Sequence, residues 1–203
     1  MILDNLKKIT KLLDFKEGTF YYLEILQRKK DNPNVVKDRK IYQRFITSLT
    51  ELYEIYNDIK LLCKIYNARA YFSLIPRSNE RFAKECLRAY TEKVCSNNYK
   101  NTFLIPDKVV LLPQVICPGN KMWILDVDVE DEDYIGEFKD AVDGKLVDIF
   151  EILNTPNGYH VVVDTFNLRS KGLIDLKDDN YRFEKFEFTL RKEALTIIYA
   201  DIS

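Results

Sequence analysis

Asp126 and Asp128 interrupt the apolar run Met122-Trp-Ile-Leu-Asp-Val-Asp-Val129. Side chains alternate along a strand, so both carboxylates leave one face, one step apart, while Val127 points the other way. An uncompensated charge inside such a run is costly, which argues for a partner. Two ionised carboxylates so placed can hold Mg²⁺ or Mn²⁺ while substrate phosphates and water complete the octahedron, as two-metal phosphoryl transfer requires. Glu130, Asp131, Glu132 and Asp133 follow directly and read as a solvated acidic turn that caps the next helix.

His160 is the chain's one histidine. It follows the Asn157-Gly158 pair at the start of an apolar strand, so it sits at a sheet end rather than on a mobile loop. From there it can contact a triphosphate or assist proton transfer; a structural role is the alternative for a lone histidine. Arg28, Lys29 and Lys30, with Lys37, Arg39, Lys40 and Arg44, surround a long polar connection, and Arg77, Arg81, Lys84 and Arg88 form a second cluster. Such clusters neutralise phosphates, and Tyr21, Tyr22 and Tyr42 could stack on bases; solvated surface and core packing are the competing readings.

The elements that must position these groups follow from periodicity. Ile2, Leu3, Leu6, Ile9, Leu12 and Leu13 predict a helix over 2–14. Residues 20–27 and 40–46 predict strands of a hairpin, and Ser48 followed by Glu51 a capping box for a long helix. A strand is expected over 69–75, then a helix begun by Ser78 that buries Phe82, Cys86, Ala89 and Tyr90 or their neighbours. Residues 97–120, with three prolines, predict an irregular crossing. A central strand over 122–129, a helix over 133–142 with Ile135, Phe138 and Val142 inward, and a hairpin of 148–153 with 159–163 come next. Residues 186–190 and 194–199 predict one more hairpin. The expected fold class is α+β, an antiparallel or mixed sheet with helices packed on one face, divided into an N-terminal helix, basic hairpin and long helix over 1–66 and a core over 67–203.

Composition narrows the function classes. The 31 basic and 32 acidic side chains nearly cancel, so any affinity for nucleic acid must come from a local patch. Cys63, Cys86, Cys95 and Cys117 lack Cys-x-x-Cys spacing, which with one histidine excludes a zinc finger and points to reduced core thiols. No apolar run approaches the ~20 residues that span a bilayer, so a membrane role is not expected and a cytoplasmic location is. P-loop, Gly-x-Gly-x-x-Gly and Gly-x-Ser-x-Gly patterns are absent, and two-histidine phosphodiesterases are excluded by count.

Taken together, Ile124-Leu125-Asp126-Val127-Asp128, Thr155-Pro156-Asn157-Gly158-Tyr159-His160 and Ile197-Ile198-Tyr199-Ala200-Asp201 resemble the three motifs of the archaeo-eukaryotic primase and primase-polymerase superfamily. The resemblance covers residues 67–203 and implies an RRM-like palm preceded by a helix-and-hairpin extension. It implies metal ligation by Asp126, Asp128 and Asp201, nucleotide contact by His160, Mg²⁺ or Mn²⁺ as cofactor, and a nucleotide or nucleic acid as partner. Gly158 stands where the family carries a serine. Gln27–Asp31 and Asn67–Tyr71 also resemble segments of small tailed-bacteriophage proteins, which implies the host cytoplasm as location. The expected function is therefore metal-dependent nucleotidyl transfer, with Arg28, Lys29, Lys30 and Arg77 on phosphates. A catalytically inactive nucleic-acid accessory or host-directed inhibitor acting on a protein partner, and a metal-dependent nuclease, remain as alternatives.

Overall fold

The computed structural model describes residues 1–119, 122–169 and 172–202. In chain order, β1 (Ile2–Asp4), α1 (Leu6–Thr10), β2 (Thr19–Gln27), β3 (Arg39–Ile46), α2 (Leu49–Tyr66), β4 (Arg69–Ser73) and β5 (Arg77–Ser78) lead into α3 (Asn79–Cys95) and α4 (Ile105–Val109). There follow β6 (Trp123–Val127), α5 (Glu132–Val142), β7 (Ile149–Thr155), β8 (Gly158–Val163), β9 (Leu173–Lys177), β10 (Asn180–Phe183), β11 (Phe186–Arg191) and β12 (Leu195–Asp201). The fold is α+β. One sheet runs β1-β12-β4-β2-β3 with β5 beside β2, the other β7-β8-β6-β11-β10-β9, and neighbouring strands are antiparallel throughout. The first sheet joins strands from both sides of residue 66.

The longest helix begins as its sequence dictates. Ser48 Oγ accepts the Glu51 N–H at 3.1 Å, and the Glu51 carboxylate reaches back to the N–H of Thr47 at 2.9 Å, so two orphan donors are satisfied. Leu52, Ile55, Ile59 and Cys63 of α2 then bury against Leu23, Ile25 and Phe72 on one face of the first sheet. Phe20 and Tyr22 alternate with these onto the opposite face, where they pack with Phe45, Phe82 and Val110 beneath α3 and α4. Helices therefore cover both faces of this sheet and not the single face expected, because β2 carries apolar side chains on both sides. Further along β2 the same opposite face turns polar at Glu24, which leaves it open to the second sheet.

In the second sheet β6 lies between β8 and β11. Leu125 and Val127 join Val161 and Val163 under Ile135, Phe138 and Val142 of α5, while Ile124 and Val162 on the other face enter the core shared with the first sheet. Asp131 caps α5, its Oδ1 accepting the Asp133 N–H at 2.9 Å, so the acidic turn has the capping role expected of it. The path β6-α5-β7, with β8 inserted between the two strands, is a split β-α-β unit.

Four local expectations change. Residues 2–4 are a strand and only 6–10 are helical, because the backbone of Ile2 to Asp4 pairs with Tyr199 to Asp201 and that pairing outweighs the helical spacing. The segments 186–191 and 195–201 are both strands but form no hairpin: β11 pairs with β6 and β10, β12 with β4 and β1. No residue of α3 is buried; Phe82, Cys86 and Ala89 are half-buried and Tyr90 is exposed. The hairpin of β9 and β10 adds an edge that sequence reading did not anticipate. The 97–119 segment is irregular as expected, with α4 and short 3₁₀ turns; residue 120 lies outside the described residues.

Candidate functional site

Register alone brings the two principal residues together. Asp126 and His160 are direct cross-strand partners in the β6–β8 ladder, and a slip of one residue would turn both away from each other's face. His160 Nε2 lies 3.3 Å from Asp126 Oδ1, and Nδ1 lies 2.8 Å from Thr196 Oγ1 on β12. An ionised carboxylate only accepts, so a neutral ring carries its proton on Nε2 and accepts a hydrogen bond from the Thr196 hydroxyl at Nδ1. Asp126 is 5% exposed. Its second oxygen, Oδ2, accepts from Arg191 Nε at 2.7 Å and from Nη2 of the same guanidinium. Burial alone would raise the Asp126 carboxyl; the His160 hydrogen bond and the Arg191 charge outweigh it and hold the group below the ordinary carboxylate value.

Gly158 makes this ladder possible. Its φ is +152°, and a Cβ there would stand 2.0 Å from the Val127 carbonyl oxygen and 2.7 Å from the Val129 nitrogen. The serine of the resembled motif does not fit. The β7–β8 turn itself is made by Pro156 and Asn157 between the paired Thr155 and Gly158, so the glycine serves the close approach to β6 rather than the turn.

A cavity of about 340 Å³ opens between the sheets in front of these residues. Asp126, Asp128, His160 and Arg191 form one wall with Glu193; Glu24, Arg28, Lys30, Arg69 and Tyr71 form the other. Asp128, just past the end of β6, is exposed and makes no ion pair among the described residues. Arg69 is buried and forked onto Asp31, with Nε 2.6 Å from Oδ2. Arg28 pairs with Asp38 at 2.6 Å and donates to the Tyr71 hydroxyl at 3.0 Å. Partial burial and the neighbouring Arg69 lower the pKa of Lys30, and its Nζ is 3.1 Å from the Asn157 amide oxygen once that amide is turned to pair donor with acceptor. Four cations, Arg28, Lys30, Arg69 and Arg191, and four carboxylates, Glu24, Asp126, Asp128 and Glu193, thus line the cleft together.

Of the residues the sequence singled out, Asp126, Asp128, His160, Arg28 and Lys30 line this one cleft. Lys29 is exposed on a 3₁₀ turn outside it. Arg77 is 2% exposed and donates to the carbonyls of Val110 at 3.1 Å and Ile75 at 2.6 Å; it pins the chain beneath α4, and burial lowers its pKa to about 10. Asp201 ends β12 opposite Ile2 and is not part of the cleft lining. Arg69, Arg191, Glu193 and Thr196 escaped the sequence reading. Alternation over Phe186–Arg191 puts Thr189 and Arg191 on one face, and only the pairing of Thr189 with Asp126 reveals that this face is the acidic one.

Asp126 and Asp128 are the residues of the cleft that could hold a divalent cation. Mg²⁺ is commonly held by one or two carboxylates plus substrate oxygens, and Asp126 with Asp128 supply two. A protein-only cage is another matter: the described residues contain no cluster of three or more His, Cys, Asp or Glu arranged to hold a metal. The four cysteines are free, and no described helix is long and apolar enough to cross a membrane. Comparison with protein-family models, with curated proteins and with solved structures finds no match.

Proposed function

We propose that the cleft binds a nucleoside triphosphate or a nucleic-acid end and carries out metal-dependent nucleotidyl transfer of the primase-polymerase type. The observation that carries this reading is the pairing of Asp126 with His160 across β6 and β8, with Asp128 beside them and a basic wall opposite. The order β11-β6-β8-β7, with α5 crossing from β6 to β7, supports an RRM-like palm in which the β9–β10 hairpin stands where a second helix would be expected.

Each side chain has a task in this reading. Asp126 and Asp128 would hold Mg²⁺ or Mn²⁺, which when bound lines up a 3′ hydroxyl with the α-phosphate and neutralises charge developing between them. His160, fixed by Thr196, donates its Nε2–H to Asp126 Oδ1 and so orients that carboxylate in the cleft. Arg28 and Lys30 neutralise the remaining phosphates, as charge-assisted hydrogen bonds do best in a partly dry site. The balanced charges of the cleft complement a metal–triphosphate complex better than either component alone.

One observation favours a second reading. Asp126 is already committed to Arg191, as it would be in a non-catalytic nucleic-acid accessory that needs no metal. Calorimetric titration of Mn²⁺ with and without dATP, into the native protein and Asp126→Ala/Asp128→Ala, separates the two. Binding that tightens with dATP and is lost in the double variant supports nucleotidyl transfer and leads to primer-extension assays, in which strand cleavage would mark a nuclease instead. Absence of binding in both conditions favours the accessory.

A further inference from the structure

Within the nucleotide reading, one residue that it leaves unexplained determines how the site is loaded. We propose that Arg191 is a gating and phosphate-binding residue: its guanidinium holds the metal position on Asp126 until a triphosphate draws it away, so metal and nucleotide enter the cleft together.

The geometry is that of a place-holder. Both Asp126 oxygens are occupied, Oδ1 by His160 Nε2 at 3.3 Å and Oδ2 by the Arg191 fork, with Nε at 2.7 Å. A cation seeking Oδ2 must displace the guanidinium, whose two donors take both lone pairs of that oxygen, and one approaching the remaining lone pair of Oδ1 meets the same positive charge. His160 is the inner, fixed partner, buried and tied to Thr196. Arg191 is the outer one: its side chain is 50% exposed, whereas that of Asp126 is 5% exposed. It stands at the last residue of β11, beside Ile124 in the ladder, and reaches diagonally to Asp126. Asp128 carries no comparable partner, so half of the carboxylate pair is open and half is closed.

The charge balance makes the exchange conditional. Metal alone would have to evict a guanidinium that has no other carboxylate partner among the described residues, leaving two cations side by side. A triphosphate alone would set its charge against Asp126 and Asp128. When both arrive, the guanidinium trades a carboxylate for a phosphate, which suits its planar fork equally well, and Asp126 trades it for the metal. No charge is left unpaired. By linkage, each component raises the affinity for the other.

The test is calorimetric binding, with no turnover needed. Mn²⁺ is titrated into the native protein, Arg191→Gln and Arg191→Lys, each with and without dATP. In the native protein dATP is expected to tighten Mn²⁺ binding by about tenfold or more, the usual size of such a coupling. In Arg191→Gln, Mn²⁺ alone binds about tenfold more tightly than in the native protein, and the effect of dATP shrinks to about threefold or less. Arg191→Lys keeps the charge without the fork and falls between; its half-exposed position makes it the variant to rely on if Arg191→Gln does not fold. Equal Mn²⁺ affinities in all three proteins, with dATP coupling intact and still dependent on Asp126, overturn the gate while leaving nucleotidyl transfer standing. No Mn²⁺–dATP binding in any of them overturns both.

Discussion

Replacing Gly158 by alanine introduces a methyl group where β8 comes nearest to β6. The new Cβ would lie 2.0 Å from the Val127 carbonyl oxygen and 2.7 Å from the Val129 nitrogen, and both are backbone atoms that cannot swing aside. Overpacking of this kind costs about 1–3 kcal/mol, and holding a non-glycine residue at φ +152° a further ~1–3 kcal/mol. The expected loss is about 4 kcal/mol, a large share of the ~5–15 kcal/mol that keeps a domain folded. With a urea dependence of about 2 kcal/mol per molar, the unfolding midpoint falls by about 2 M. Gly158→Ser, which restores the serine of the resembled motif, meets the same two atoms and is expected to do no better. The assay is urea unfolding followed by tryptophan fluorescence, since Trp123 sits on the affected strand. A midpoint for Gly158→Ala within about 0.25 M of the native protein would refute the reasoning, because a shift that small corresponds to only about 0.5 kcal/mol.

Two further predictions concern buried groups away from the cleft. Arg77→Ala leaves the carbonyls of Ile75 and Val110 without their donor and opens a hole, so it is expected to cost about 3 kcal/mol in urea unfolding while the folded protein binds Mn²⁺ and dATP as before; selective loss of dATP binding at unchanged stability would return Arg77 to the phosphate site. Of the four thiols, exposed Cys95 is expected to react first with Ellman's reagent at pH 8, and Cys63, whose buried thiol is pushed up to about 12, only on unfolding.

The local elements were largely legible in the sequence. Ser48 and Glu51 announced α2, the apolar strand with two carboxylates announced β6, and Pro156-Asn157-Gly158 announced the β7–β8 hairpin. Each of these signals lies within a few residues of what it specifies. Long-range pairing was not legible. Nothing local tells Ile2 that Asp201 lies beside it, or that Phe186–Arg191 and Leu195–Asp201 belong to different sheets. The site divides the same way. Asp126 and His160 could be brought together because a hairpin and its neighbour strand are short-range guesses. Arg69 and Arg191 could not, because an arginine in a strand advertises no partner until the register is known. Arg77 misled for the opposite reason: a charge in sequence reads as surface, and here two backbone carbonyls make its burial tolerable.

β11 ends at Arg191 in one sheet and β12 begins at Leu195 in the other, so three residues span the gap between the two walls of the cleft. Ala194 among them is buried, has a φ of +46°, and receives the Leu74 N–H on its carbonyl at 2.8 Å. On one side of this bridge Arg191 grips Asp126; on the other Thr196 grips His160. The two walls are therefore clasped by one short strap, with its buckle set beside the cleft instead of far behind it. Because Ala194 is buried and hydrogen-bonded and the sheets share a core, the strap sets Arg191 against Thr196, so Asp126 and His160 are held from one anchored piece of chain.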